Sequence, residues 1–143
     1  MRGSQRHTID AKNRLFVPAK YREELGTNVI LVMNFSASSV SVYSEANIGD
    51  LDAKIRGLDE EENHDEYMWY YANTEDAEID SQGRLALPQK FITHANISKN
   101  IVSIGLGNHM EIWDADAFDA KMAGIGPDMV QRKVIESSKK TTS

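Results

Sequence analysis

The sequence predicts an α+β protein made of one half-domain written twice, with the two copies sharing a core. Three observations predict it: an internal repeat at an offset of 70 residues, a tight turn at the same place in each copy, and helical apolar spacing after each hairpin. Ile9-Asp10-Ala11-Lys12-Asn13-Arg14-Leu15-Phe16-Val17-Pro18-Ala19-Lys20-Tyr21 lies over Ile79-Asp80-Ser81-Gln82-Gly83-Arg84-Leu85-Ala86-Leu87-Pro88-Gln89-Lys90-Phe91. Ile, Asp, Arg, Leu, Pro and Lys are identical between the two, which marks an internal duplication. With no gap, the same offset places Leu31-Val32 over Ile101-Val102, Val42-Tyr43 over Ile112-Trp113 and Ile48 over Phe118. A unit of about 70 residues buries too little surface to stand alone, so the copies are expected to share one core.

Each copy reads as strand, turn, strand, short helix, hairpin, helix. His7 to Asp10 and Glu78 to Asp80 enter as strands; Leu15 to Val17 and Leu85 to Leu87 leave as strands. Pro18 and Pro88 end them and suit the first turn of a helix, where the missing N–H would have no partner anyway. Ala19 to Leu25 and Gln89 to Ala95 are those helices. Val29 to Phe35 with Val40 to Tyr43, and Ile101 to Leu106 with His109 to Trp113, are β-branched, apolar runs that read as hairpins. Gly107-Asn108 marks the second hairpin's turn. Ser44 and Asp114 are N-cap residues for helices carrying Ile48, Leu51, Ile55 and Leu58, or Phe118 and Met122. Thus residues 1–58 form the first repeat and 77–125 the second. Residues 59–76 form an acidic, aromatic connector with a helix over His64 to Ala72, whose Tyr67, Met68, Trp69, Tyr70 and Tyr71 are expected mostly buried. Residues 126–143 read as a flexible basic tail.

The net charge is -6, which taken globally opposes nucleic-acid binding. Its distribution does not. Residues 1–25 hold six Lys or Arg against three acids, and residues 81–110 hold three against none. Residues 45–80 hold thirteen acids against two bases. Charges farther apart than about 8–10 Å are largely screened in physiological salt, so a basic face and an acidic face can share one molecule. With no cysteine, disulfides and thiolate metal sites are excluded. There is no run of about 18 apolar residues and no signal-peptide core, which reads as a soluble cytoplasmic protein.

The turns Asp10 to Arg14 and Asp80 to Arg84 are where chemistry concentrates. A reversal between short strands needs a residue of positive φ, a place Gly83 takes freely and Asn13 tolerates. Lys12 and Gln82 then project at the loop tips. Asp10 and Asp80 can accept local backbone N–H bonds and orient Arg14 and Arg84. The arginine fork grips phosphate or reads guanine in the major groove. The same pair could simply staple a hairpin, but two copies in locally basic stretches favour DNA.

The residues His7-Thr8-Ile9-Asp10-Ala11-Lys12-Asn13-Arg14 and Val17-Pro18-Ala19-Lys20-Tyr21-Arg22 resemble the first motif of MraZ proteins. Asp80-Ser81-Gln82-Gly83-Arg84-Leu85 resembles their second, and Glu111-Ile112-Trp113 fits the family pattern before the last helix. The resemblance covers roughly residues 1–123. It implies an AbrB/SpoVT-like swapped-hairpin β-barrel, here with both units on one chain. It implies a bacterial regulator, usually a repressor, that binds short repeats in double-stranded DNA upstream of its own division and cell-wall gene cluster. It also implies a closed ring of subunits, often an octamer, working at the nucleoid; no cofactor is expected, and the lack of a long apolar run argues against a membrane. The family's DNA contacts carry over to Asp10, Lys12, Asn13 and Arg14, and to Asp80, Gln82, Gly83 and Arg84. Two departures stand out. Asn13 replaces the usual Gly, and Gln82 gives the second loop less charge than Lys12 gives the first, so unequal contributions are expected.

Rival classes rank lower. His64-Asp65-Glu66 does not place two metal ligands on one helical face, and no phosphate loop, nucleophile elbow or His-Glu-x-x-His is present. An AbrB-like antitoxin would carry one DNA-binding unit and a longer partner-wrapping tail, and a ring-forming scaffold would not need the paired basic loops.

Overall fold

A computed structural model describes residues 1–142, with side chains for residues 1–139. The first copy contains β1 (Ser4–Thr8), β2 (Arg14–Phe16), α1 (Ala19–Leu25), β3 (Asn28–Met33), β4 (Val40–Ser44) and α2 (Ile48–Arg56). The connector contributes α3 (His64–Ala72). The second copy contains β5 (Thr74–Glu78), β6 (Arg84–Ala86), α4 (Gln89–His94), β7 (Asn100–Gly105), β8 (His109–Asp114) and α5 (Ala115–Ala123), followed by α6 (Pro127–Thr142).

The strands form an antiparallel sheet of six, in the order β1-β7-β8-β4-β3-β5, and a separate ribbon of β2 with β6. The class is α+β with an antiparallel sheet. The sheet is open, with β1 and β5 at its edges. The copies exchange strands to build it. β1 of the first copy pairs with β7 of the second, and β5 of the second pairs with β3 of the first. Neither copy's hairpin is covered by its own first strand, so each half needs the other. That is the structural form of the shared core that the length required.

The pairing register revises the gapless repeat. Ile9 N–H donates to the Lys99 carbonyl and Ile79 N–H to the Thr27 carbonyl, so Lys99 corresponds to Thr27 at an offset of 72. β3 and β7 therefore match as Val29 with Ile101, not Leu31 with Ile101. Two extra residues follow α4, where Asn96 takes a positive φ of 50°. The second hairpin then turns two residues sooner. The reciprocal pairs Val40–Ile112 and Val42–Met110 put β4 and β8 back at an offset of 70.

Strand alternation sorts the side chains onto two faces. Val29, Leu31, Val40, Val42, Ile101, Met110 and Ile112 face inward onto Leu15, Leu85, Tyr21 and Phe91 from the ribbon and from α1 and α4. On the opposite face Val32, Tyr43 and Tyr70 form a second cluster with Ile48, Leu51 and Ile55 of α2. Asp114 caps α5 by accepting from the Ala117 N–H at 3.3 Å. Ser44 accepts from the Asn47 N–H at 3.1 Å, but there α2 starts later, at Ile48.

Two further expectations differ from what the chain does. In α3 only Tyr70 is buried, while Met68, Trp69 and Tyr71 are exposed. Successive helical residues point about 100° apart, so a run of five apolar side chains cannot share one buried face. Residues read as a flexible tail form α6. Pro127 stands at its first position, Asp128 lies in its first turn, and Lys133 pairs with Glu136 one turn on.

Candidate nucleic-acid interface

The ribbon β2–β6 is the platform on which both Asp-x-x-x-Arg turns sit. Its register pairs Arg14 with Ala86, Leu15 with Leu85 and Phe16 with Arg84. Directly paired side chains point to the same face, so Leu15 and Leu85 go one way and the other four go opposite. Leu15 and Leu85 are 1% and 0% exposed and rest on the core. Arg14, Arg84, Phe16 and Ala86 consequently share the outer face.

Each turn is held by the same bonds. The Asp10 carboxylate accepts from the Lys12 and Arg14 backbone N–H groups through Oδ1 and from Arg14 Nε through Oδ2, each at 2.9 Å. Asp80 does the same with Gln82 and Arg84, again at 2.9 Å throughout. The Arg14 backbone N–H, then its guanidinium and the Lys12 N–H, hold the Asp10 carboxyl below the usual carboxylate range despite partial burial. Asp80 is held down in the same way by Arg84 and Gln82. Both carboxylates are ionised at neutral pH. The bonds engage Nε of each arginine, and among the described residues its two terminal nitrogens have no hydrogen-bond partner. Stapling and presenting are thus compatible: the Asp fixes the stem of the guanidinium while its outer edge stays available for a ligand.

Positive φ appears where the turn demands it, at Asn13 (59°) and Gly83 (83°). This conformation swings the following carbonyl outward toward the other half. The Asn13 carbonyl accepts from the Leu87 N–H at 2.8 Å, and the Gly83 carbonyl from the Val17 N–H at 2.9 Å. Each loop therefore extends the ladder of the partner copy. Asn13 Nδ2 also donates to Gln89 Oε1 at 3.3 Å. The structure thus assembles all eight predicted residues into two equivalent turns on one ribbon, with Asp10, Lys12, Asn13 and Arg14 at one turn and Asp80, Gln82, Gly83 and Arg84 at the other.

A model of the protein family described as "MraZ protein, putative antitoxin-like" matches residues 1–66 and 70–125. The chain belongs to the MraZ family. It is 35% identical over 120 residues to the "Transcriptional regulator MraZ" of Ligilactobacillus salivarius (strain UCC118), covering 82% of this chain and 83% of that one. The protein of the same name from Clostridium tetani (strain Massachusetts / E88) is 31% identical over 137 residues, covering 94% and 96%. That from Cytophaga hutchinsonii is 33% identical over 117 residues, covering 78% and 77%. MraZ is a family of transcriptional regulators rather than of enzymes. Among the described residues of this MraZ chain, no helix is long and apolar enough to cross a membrane. Nor does any group of three or more His, Cys, Asp or Glu there form a potential metal site.

Two residues beside the paired turns were not singled out by the sequence. Phe16 is 61% exposed, beside Arg84 on the outer face. Its signal was strand alternation: in Leu15-Phe16-Val17 the middle residue must point away from the core that takes its neighbours. Arg22, on α1, lies over the Gly83 turn of the other copy. That crossing depends on the strand exchange and left no mark in the sequence.

Proposed function

We propose that this MraZ protein binds double-stranded DNA through the outer face of the β2–β6 ribbon, with Arg14 and Arg84 as its principal contacts. The carrying observation is that two arginines, each with its stem pinned by an aspartate, stand on one exposed face in equivalent turns. Lys12, Asn13, Gln82 and Gly83 shape and charge the approach, and Asp10 and Asp80 orient the forks. Phosphate contacts of this kind position a protein, while an arginine reaching a base edge supplies sequence preference.

In this reading the protein is a repressor of its own division and cell-wall gene cluster, acting at short upstream repeats in the cytoplasm at the nucleoid. One loop with one or two cations binds DNA weakly, so a ring of subunits, an octamer in the preferred form, engages several repeats at once and gains affinity by linkage. The exchange of first strands between copies supports an AbrB-like swapped-hairpin arrangement. The test is a fluorescence-anisotropy titration of duplex taken from upstream of the protein's own gene against a scrambled duplex. Arg14→Ala and Arg84→Ala should each weaken specific binding about 5- to 150-fold, the range for an arginine at a base edge. Wild-type affinity in both variants would sink the proposal.

A further inference from the structure

We propose that Arg22 is the second cation of the Asp80–Arg84 loop and binds a DNA backbone phosphate there, so that both loops present two cations. This rests on the DNA-binding reading above and adds to it a contact made across the two halves of the chain.

The placement is specific. A Cβ at position 83 would fall 2.9 Å from Arg22 Cζ and 3.3 Å from its Cδ, and closer still to Nη1. The guanidinium thus occupies the space that Gly83 leaves by having no side chain. Arg22 belongs to α1, in the first copy, and the loop belongs to the second. Among the described residues no carboxylate pairs with Arg22, whereas Arg14, Arg84 and Arg6 each hold an aspartate. A planar fork with five donors, set over a loop whose own arginine already faces outward, suits a phosphate oxygen pair.

The repeat supplies an independent argument. At an offset of 70, Lys12 matches Gln82 and Arg22 matches Ile92. The helical match is fixed by structure, since the Arg22 and Ile92 N–H groups both donate to the carbonyls of Pro18 and Pro88 respectively. Each substitution alone would make the loops unequal. Together they restore balance: the first loop draws its second cation from its own tip, and the second draws it from the opposing helix. The unequal loops expected from Gln82 are the result of counting charge along the chain instead of across the fold.

The test is the salt dependence of binding between 50 and 200 mM, using the full chain and the upstream duplex. Arg22→Ala should make the slope of log K against log salt shallower by about 0.9 for each engaged chain, because one phosphate contact is lost. The salt-induced drop in affinity then shrinks about 3.5-fold per chain, equally for scrambled duplex. Arg22→Lys should keep the slope, and adding Gln82→Lys to Arg22→Ala should restore it by returning a cation to the same loop. Arg22→Gln, which keeps the stem, should match Arg22→Ala and serves if the alanine variant folds poorly. A wild-type slope in Arg22→Ala, with Arg14→Ala and Arg84→Ala still defective, overturns the role of Arg22 and spares the loop reading. A reduced slope that Gln82→Lys does not restore also overturns it, since Arg22 would then act only by holding the loop. If the Arg14 and Arg84 variants bind normally, the DNA-binding reading itself fails.

Discussion

Replacing Gly83 with alanine forces a Cβ into a turn whose φ is +83°. An L-residue held in left-handed backbone costs about 1–2 kcal/mol relative to glycine. The new methyl would also meet the Arg22 guanidinium, but that contact is relieved by rotating the free end of a long side chain. The backbone therefore sets the magnitude. Gly83→Ala should lower stability by about 1–2 kcal/mol, or melting by about 3–8 °C for a chain of this size. Gly83→Asn should cost less, because Asn13 already holds the equivalent turn at a φ of 59°. Asn13→Gly should shift stability by less than about 1 kcal/mol, as relief of the positive φ is offset by a more flexible unfolded chain. Urea titrations at one fixed chain concentration measure these differences with any contribution from self-association held constant. A Gly83→Ala variant as stable as wild type would refute the left-handed requirement. A cost that disappears in an Arg22→Ala background would show that packing against Arg22, and not the backbone, is the constraint.

Leu85→Ala removes a fully buried side chain from beneath the outer face of the ribbon and should cost about 2–5 kcal/mol by chemical denaturation. A loss under about 1 kcal/mol would mean that the ribbon is not anchored through its inner face. Burial holds the His7 imidazole below its ordinary value of 6.5, and its Nε2 lies 2.7 Å from Ser103 Oγ. The unfolded chain then protonates first, so stability is complete above about pH 6.5 and declines as pH falls below it. Urea midpoints taken between pH 7.5 and 5 should show this decline, and His7→Gln should flatten it; an unchanged decline in the variant would exonerate His7.

How much of this was legible in the sequence depends on distance along the chain. The turns were readable because their causes are local: an aspartate, a residue tolerant of positive φ and an arginine lie within five positions, and repetition confirmed the pattern. α1 was equally plain, since Pro18 sets its start and Gly26 follows its end. What crosses between copies was not readable. Nothing in Ser4 to Thr8 states that it pairs with Asn100 to Ile104, and nothing in Arg22 states that it overlies Gly83. The two-residue slip in β7 was hidden because Leu31-Val32 and Ile101-Val102 are alike in kind, so the wrong overlay looks as good as the right one. Only the ladder bonds of Ile9 and Ile79 distinguish them. The aromatic run in α3 misled for another reason: apolar composition reports a preference for burial, whereas helical geometry limits how many neighbours can satisfy it.

If paired, aspartate-pinned arginines on one ribbon carry DNA recognition, a double-mutant cycle on Arg14 and Arg84 should show it. Affinities for upstream and scrambled duplexes would be measured at one salt concentration for wild type, Arg14→Ala, Arg84→Ala and the double variant. Each single substitution should narrow the gap between the two duplexes, and the double variant should abolish it while remaining folded. A folded double variant that still prefers the upstream duplex by the wild-type ratio would contradict that role for the arginines.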